Sequence, residues 1–161
     1  MSLDSLALRA ALGQYATGVA IVTTLDGEGR PAGLTVNSFA SVSLDPPLVL
    51  WSLAQTSACM QAFKSCHHFA VNVLASDQVE ISNRFALAGY DKFGGIVWTP
   101  GLGGAPLLEG CCARFECRSH ARHPGGDHVI FIGRVERFAH EDRTPLVFHG
   151  GRYCTRGDSL I

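Results

Sequence analysis

A chain of 161 residues, 47% apolar and 17% charged, holds enough apolar material for one folded domain and too little charge for a disordered chain. Its formal net charge is −1, and no basic stripe or block of like charge occurs, which argues against nucleic acid and anionic membrane as partners. The first residues, MSLDSLALRAALGQYA, carry an acid and an arginine and lack a signal-peptide apolar core. The longest uncharged runs hold Pro, Gln, Ser or Gly, so no membrane span is expected and the expected location is the cytoplasm.

Residues 4–16 predict an amphipathic helix capped by Asp4, with Leu8, Ala11, Leu12 and Tyr15 on one side. GVAIVTT (18–24) is a β-branched run ending at the turn DGEGR, which predicts a strand. GLTVNSFASVS (33–43) reads as a strand with two faces. Thr35, Asn37, Phe39, Ser41 and Ser43 form a polar face that carries no charge. The prolines of LDPP (44–47) predict a turn before the buried strand LVLWSL (48–53).

Residues 57–66 predict a short helix begun by Ser57, with Met60 and Phe63 turned inward, followed by the strand HFAVNVL (68–74). Asp77 and Glu80 have capping-box spacing, which predicts a helix over 77–86. Residues 89–106 are rich in Gly and Pro and predict a long loop. Its Phe93, Ile96 and Trp98 suggest a cover over a site or a subunit interface. CCARFECRS (111–119), HVIFIGRVERF (128–138) and PLVFHGGRY (145–153) bring the strands to about seven. Strands at short spacing without alternating long helices predict one antiparallel closed barrel with short peripheral helices.

Six cysteines without a C-x-x-C pair read as small buried hydrophobes. Cys112, Cys117, His120 and His123 resemble a short zinc-ligand cluster. On a strand, however, Cys112 and Cys117 lie an odd number apart and face opposite ways, so no metal site is expected. GLGGAP (101–106) starts like a dinucleotide fingerprint but ends in Pro106 and follows a loop, and no phosphate-loop or G-x-S-x-G pattern occurs.

Four stretches could carry chemistry. The uncharged polar face of 33–43, beside Phe39, suits a neutral heterocycle with a sugar-like chain, or a solvent-facing strand. SLAQTS (52–57) offers Thr56 and Ser57 hydroxyls at a helix start, either as a cap or as a phosphate seat. In GGDH (125–128), Asp127 can orient His128 at a site mouth or simply cap a turn. In HGGRY (149–153), Arg152 could pair with phosphate and Tyr153 could stack, or the segment is a plain hairpin.

Together and in this order, these stretches resemble the flavin reductase family of the FMN-binding split barrel, often the small reductase component of two-component flavin-dependent monooxygenases. The matching segments are ATGVAIVTT, GLTVNSFASVSLDPPLVLWSL, FAVNVLASDQ, NRFA, GLGGAPLLEG, GGDHVIFIGRVERF and PLVFHGGRY, which span nearly the whole chain. The resemblance implies a mainly β, antiparallel split barrel as a single domain over 1–161. It also implies a homodimer with flavin, FMN or FAD, held near the subunit interface.

The positions matching flavin contacts are Thr35, Val36, Asn37, Ser38, Ser41, Val42, Ser52, Leu53, Ser57, Asn83, Arg84 and Phe85, with Lys92 and Phe93 as further candidates. His128, oriented by Asp127, matches the nicotinamide-side histidine. Gly151, Arg152 and Tyr153 match the terminal segment near flavin and NAD(P)H. Where the family often has S-x-T, this chain has Ser57, Ala58 and Cys59, which would hold phosphate less well. The implied reaction is hydride transfer from NADH or NADPH to flavin. The protein would supply binding and orientation, with His128 positioning the nicotinamide.

Overall fold

The computed structural model describes residues 4–89, 91–155 and 157. In chain order the elements are α1 (Ser5–Leu12), β1 (Thr17–Gly18), β2 (Ala20–Leu25), β3 (Pro31–Val36), β4 (Ala40–Leu44), β5 (Pro47–Ala54), α2 (Met60–Ser65), β6 (His68–Val73), α3 (Val79–Ala86), β7 (Trp98–Pro100), a 3₁₀ turn (Leu102–Gly104), β8 (Pro106–Leu108), β9 (Ala113–Gly125), β10 (His128–His140), β11 (Leu146–His149) and β12 (Arg152–Thr155). Seven strands make one antiparallel sheet in the order β3-β2-β6-β9-β10-β5-β4. Its two edges, β3 and β4, are consecutive in the chain, so the sheet curls into a barrel that is split between them. The sheet β1-β11-β12 and the hairpin β7-β8 lie outside it.

Side-chain alternation explains the barrel interior. Along β5, Val49, Trp51 and Leu53 are buried and their neighbours are half-buried, the period of two expected of a strand. Trp51 stacks on Phe131 at 4.7 Å and meets Phe63 and Phe69 edge-on at 4.8 and 5.9 Å. Gly133 on β10 faces this cluster, where any side chain would collide with the Phe69 ring. β2 is buried on both faces. Ala20 and Val22 join the barrel core, and Val19 and Ile21 join a second core with Leu74, Phe85, Leu108 and Leu146.

Residues 91–106 pack over that second core. Phe93 packs edge-on against Phe85 at 4.9 Å and lies 6.2 Å from Trp98, while Ile96 joins the same cluster. A fully buried asparagine fixes the segment's far end. Asn72 Oδ1 accepts from Leu108 N–H at 2.9 Å, and its Nδ2 donates to Ile21 C=O at 3.1 Å and Pro106 C=O at 3.4 Å.

The elements depart from the sequence reading in several places. GLTVNSFASVS is two strands with a break at residues 37–39, where the family match of Val36, Ser38 and Val42 on the strand's other face implies a bend or bulge, and PLVFHGGRY is a hairpin of two. α1 ends at Leu12, and none of its residues is buried; Leu6, Leu8 and Leu12 are exposed, as is Tyr15 beyond it. α2 begins at Met60, three residues after Ser57. α3 begins at Val79 without a capping box. Asp77 pairs with Arg143 at 2.7 Å instead, and Gln78 is drawn to Ala75 N–H and Glu109 C=O.

All six cysteines are free thiols. Burial pushes the Cys111 and Cys117 thiols up to about 12 and also raises Cys66 and Cys112. Among the described residues, no helix is long and apolar enough to cross a membrane.

Replacing Asn72 with Ala should cost about 2–4 kcal/mol, because it strands the Leu108 N–H and removes two further bonds in a sealed site. Thermal unfolding should fall by about 5–12 °C. A denaturation midpoint equal to the parent's would show that the asparagine adds no net stability.

Candidate active site

The break between β3 and β4 is where most of the sequence-predicted residues gather. β4 pairs with β5 up to Ala40 opposite Leu50, and continuing that register would place residue 38 opposite Ser52. The backbone has already left the ladder there, and a side chain takes over. Ser38 Oγ accepts from Ser52 N–H at 3.0 Å and donates to Ser52 C=O at 3.4 Å. The hydroxyl ties the β3–β4 connection to β5 while leaving space beside it. That space is a cleft of about 320 Å³ lined by Leu34, Thr35, Val36, Asn37, Ser38, Ser52, Leu53, Ala54, Ser57 and His128.

His128 stands at one wall because it opens β10 opposite Ala54 of β5. The preceding turn is fastened to the cleft by Gln55, whose N–H donates to Asp127 C=O and whose side chain donates to Gly126 C=O, each at 2.9 Å. Asp127 Oδ1 lies 2.7 Å from His128 Nδ1. That contact engages one ring nitrogen and sets the tautomer. The bond from His128 holds the Asp127 carboxyl below the usual carboxylate range.

A second cleft of about 1210 Å³ adjoins the first at Leu34, Thr35 and Ser57, which line both, and the two neighbouring clefts make up the trough. Gly33 lies on its floor. A Cβ there would meet Phe85, Thr23 and the Val22 carbonyl, all at 3.1 Å. Gly33 C=O accepts from Lys92 Nζ at 3.1 Å and from the Cys59 thiol at 3.5 Å. Lys92 also donates to Phe85 C=O at 3.0 Å, and burial pushes its ammonium pKa down. The rim is the β2–β3 turn, where Arg30 pairs with Asp26 at 2.8 Å and Glu28 at 2.9 Å. The Arg30 backbone N–H and guanidinium hold Asp26 below the usual carboxylate range.

The structure therefore brings Thr35, Val36, Asn37, Ser38, Ser52, Leu53, Ser57 and His128 together, with Phe85, Lys92 and Phe93 in the adjoining cleft. Ser57 is not a helix cap here; its hydroxyl accepts from Cys59 N–H at 3.3 Å within the turn before α2. Other candidates line neither cleft. Ser41 and Val42 lie on exposed β4, where the pairing register shifts between Ser41 and Ser43. Asn83 is exposed on α3, and Arg84 donates to Gly94 C=O at 2.7 Å.

Gly150 and Gly151, at φ +56° and +78°, form the two-residue turn between β11 and β12, which accounts for Gly151 locally. Arg152 is exposed, and the Tyr153 hydroxyl bonds to Ser82 Oγ at 2.9 Å. The sequence reading passed over Gly33, the 26–30 rim and Ser82. The lone glycine inside a strand run was a usable signal for close approach, whereas a mid-helix serine gives none.

A family profile described as "Flavin reductase like domain" matches residues 12–157. The chain belongs to this family. It is 50% identical to the FMN reductase (NADH) SmoA of Agrobacterium fabrum over 93% of this chain and 85% of that protein. It is 43% identical to the reductase component of the flavin-dependent trigonelline monooxygenase of Acinetobacter baylyi over 94% of this chain, which spans 49% of that longer protein. Among solved structures, the Streptomyces globisporus NADH:FAD oxidoreductase SgcE6, in complex with NAD and FAD fragments, superposes with a TM-score of 0.93. That match has 36% identity and covers 100% of both chains. The flavin reductase-like fold is thus the antiparallel split barrel, and in this member the split is the trough built around Ser38 and Gly33.

Replacing Ser38 with Ala removes the tie between the β3–β4 connection and β5 and leaves the Ser52 amide without its partner, at a cost of about 1–3 kcal/mol. Amide hydrogen exchange at Ser52 should accelerate about 5- to 100-fold with the rest of β5 little changed. Unchanged exchange would show that the hydroxyl does not hold the connection to β5.

Proposed function

We propose that this chain is an NAD(P)H-dependent flavin reductase that transfers hydride from NADH or NADPH to FMN or FAD and supplies reduced flavin to a partner monooxygenase. The carrying observation is the meeting of an uncharged polar strand break with the Asp127–His128 pair in one cleft. A neutral heterocycle with a polyhydroxyl chain is matched by apolar walls and a few placed polar groups, and the lining offers Val36 and Leu53 beside Asn37, Ser38 and Ser52. The family membership and the NADH-dependent reductases among its relatives point the same way.

In this role Thr35 to Ser38 and Ser52 to Leu53 hold the flavin ring and its chain. Of the two cations lining the adjoining cleft, Arg30 is paired with Asp26 and Glu28 at the rim, and Lys92 suits the phosphate end. The bound flavin supplies the hydride-accepting centre. His128 orients the nicotinamide, and its contact to Asp127 restrains the ring so that less order is lost on binding. No general acid is required for the hydride itself. The chain would act in the cytoplasm as a homodimer. Exposed Leu6, Leu8, Leu12 and Tyr15 along and just after α1 are the apolar surface that a second copy would cover.

Light scattering should give twice the chain mass of 17.2 kDa, and a monomer at micromolar concentration would refute the dimer. Absorbance at 340 nm should fall when the protein is given NADH with free FMN or FAD. Absence of turnover across both flavins and both nicotinamides would favour a non-enzymatic flavin carrier. His128→Ala should raise the nicotinamide KM about 5- to 30-fold, the loss of one or two hydrogen bonds' worth of binding, with flavin affinity little changed. An unaltered nicotinamide KM would reject the positioning role.

A further inference from the structure

We propose that Tyr153 is a positioning residue for the flavin site, acting from outside the trough through Ser82 and Thr35; this rests on the flavin reading above. Tyr153 lies on β12, in the outer sheet, and lines neither cleft. Its hydroxyl is 2.9 Å from Ser82 Oγ, and Ser82 is fully buried on α3. The same serine's C=O accepts from Thr35 Oγ1 at 2.7 Å. Thr35 is one of three residues shared by both clefts. A chain of two hydrogen bonds therefore runs from the C-terminal hairpin to the middle of the trough.

The geometry gives Tyr153 leverage. Its ring is held edge-on against Phe148 at 5.5 Å and packs on the second core, so the hydroxyl sits at the end of a restrained lever. Ser82 is three residues before Phe85, which borders the larger cleft, buries its ring in the second core and gives its C=O to Lys92. These residues are on one face of one short helix. The buried contact at Ser82 thus fixes the carbonyl that receives the Thr35 hydroxyl, one turn before the Phe85 C=O that receives Lys92. A tyrosine that stacked directly on ligand would present its ring to the trough. Here the ring and hydroxyl are both engaged by the protein.

The test is a mutant cycle read by steady-state kinetics. Tyr153→Phe should raise the flavin KM about three- to tenfold, the scale of one lost positioning hydrogen bond, with kcat at saturating flavin within about twofold and the nicotinamide KM unchanged. Ser82→Ala removes the same contact from the other side and should reproduce the effect. Tyr153→Phe added to Ser82→Ala should then change nothing further. An unchanged flavin KM in both single variants overturns the proposal, as do effects that multiply in the double variant or a change confined to melting temperature. If Tyr153→Phe does not fold, Ser82→Ala alone decides. Wild-type turnover separates the two levels. A wild type that reduces no flavin overturns both the function and the positioning role, whereas a wild type that turns over with unaffected variants overturns the positioning role alone.

Discussion

A side-chain hydroxyl standing in for a strand is the constraint on which this molecule's site depends. An antiparallel barrel can close completely, in which case it has no room at the seam, or remain open, in which case its edges present unpaired backbone. Ser38 gives an intermediate solution. Its hydroxyl both donates to and accepts from the Ser52 backbone, supplying the pairing that residue 38 would have made, from an atom that projects sideways. The seam is satisfied and yet stays ajar. The polar groups lining the gap, Asn37 and the Ser52 side chain among them, line a cleft already held at its mouth.

The rest of the trough is held by backbone carbonyls that accept from side chains of other elements. Gly33 and Phe85 both give their C=O to Lys92, and Ser82 gives its C=O to Thr35. α3 is therefore docked on β3 by polar contacts on the site side and by Phe85 on the core side. The outer segment 91–106 reaches this docking through Phe93 and is pinned at its far end by Asn72. Each wall is held by a group that belongs to a different part of the chain, so the trough is a product of the whole fold.

What could be read from the residues alone follows from how local each signal is. β2 announces itself as a continuous β-branched run because both of its faces are buried, and β5 by its alternation around Trp51. The polar, uncharged stretch at 33–43 was legible as a site because charge was missing where solvent would have allowed it. Its break at 37–39 was not predicted by alternation, since a period-two pattern says nothing about where pairing stops. Asp4 caps α1 as expected, but the starts of α2 and α3 failed for a related reason. Asp77 is an equally good cap or ion-pair partner, and Arg143, 66 residues away, takes it. Phe93, Ile96 and Trp98 signalled a covering segment, but only the tertiary structure shows that all three pack half-buried against the second core while Phe93 also lines the larger cleft. Ser82 has no sequence signature, since its role exists only through Thr35 and Tyr153.

The buried thiols have a consequence for durability. Reduced flavin released into aerated solution is oxidised by oxygen and yields peroxide, and peroxide attacks thiolates far faster than thiols. Burial pushes the Cys111 and Cys117 thiols up to about 12, which keeps both protonated at neutral pH. Both sit inside the fold, Cys117 in the barrel core and Cys111 in the second core. A catalyst whose product generates an oxidant would thus carry its two most deeply placed sulfurs in their least oxidisable form. The packing that excludes water from those thiols would also set how long the enzyme survives its own chemistry.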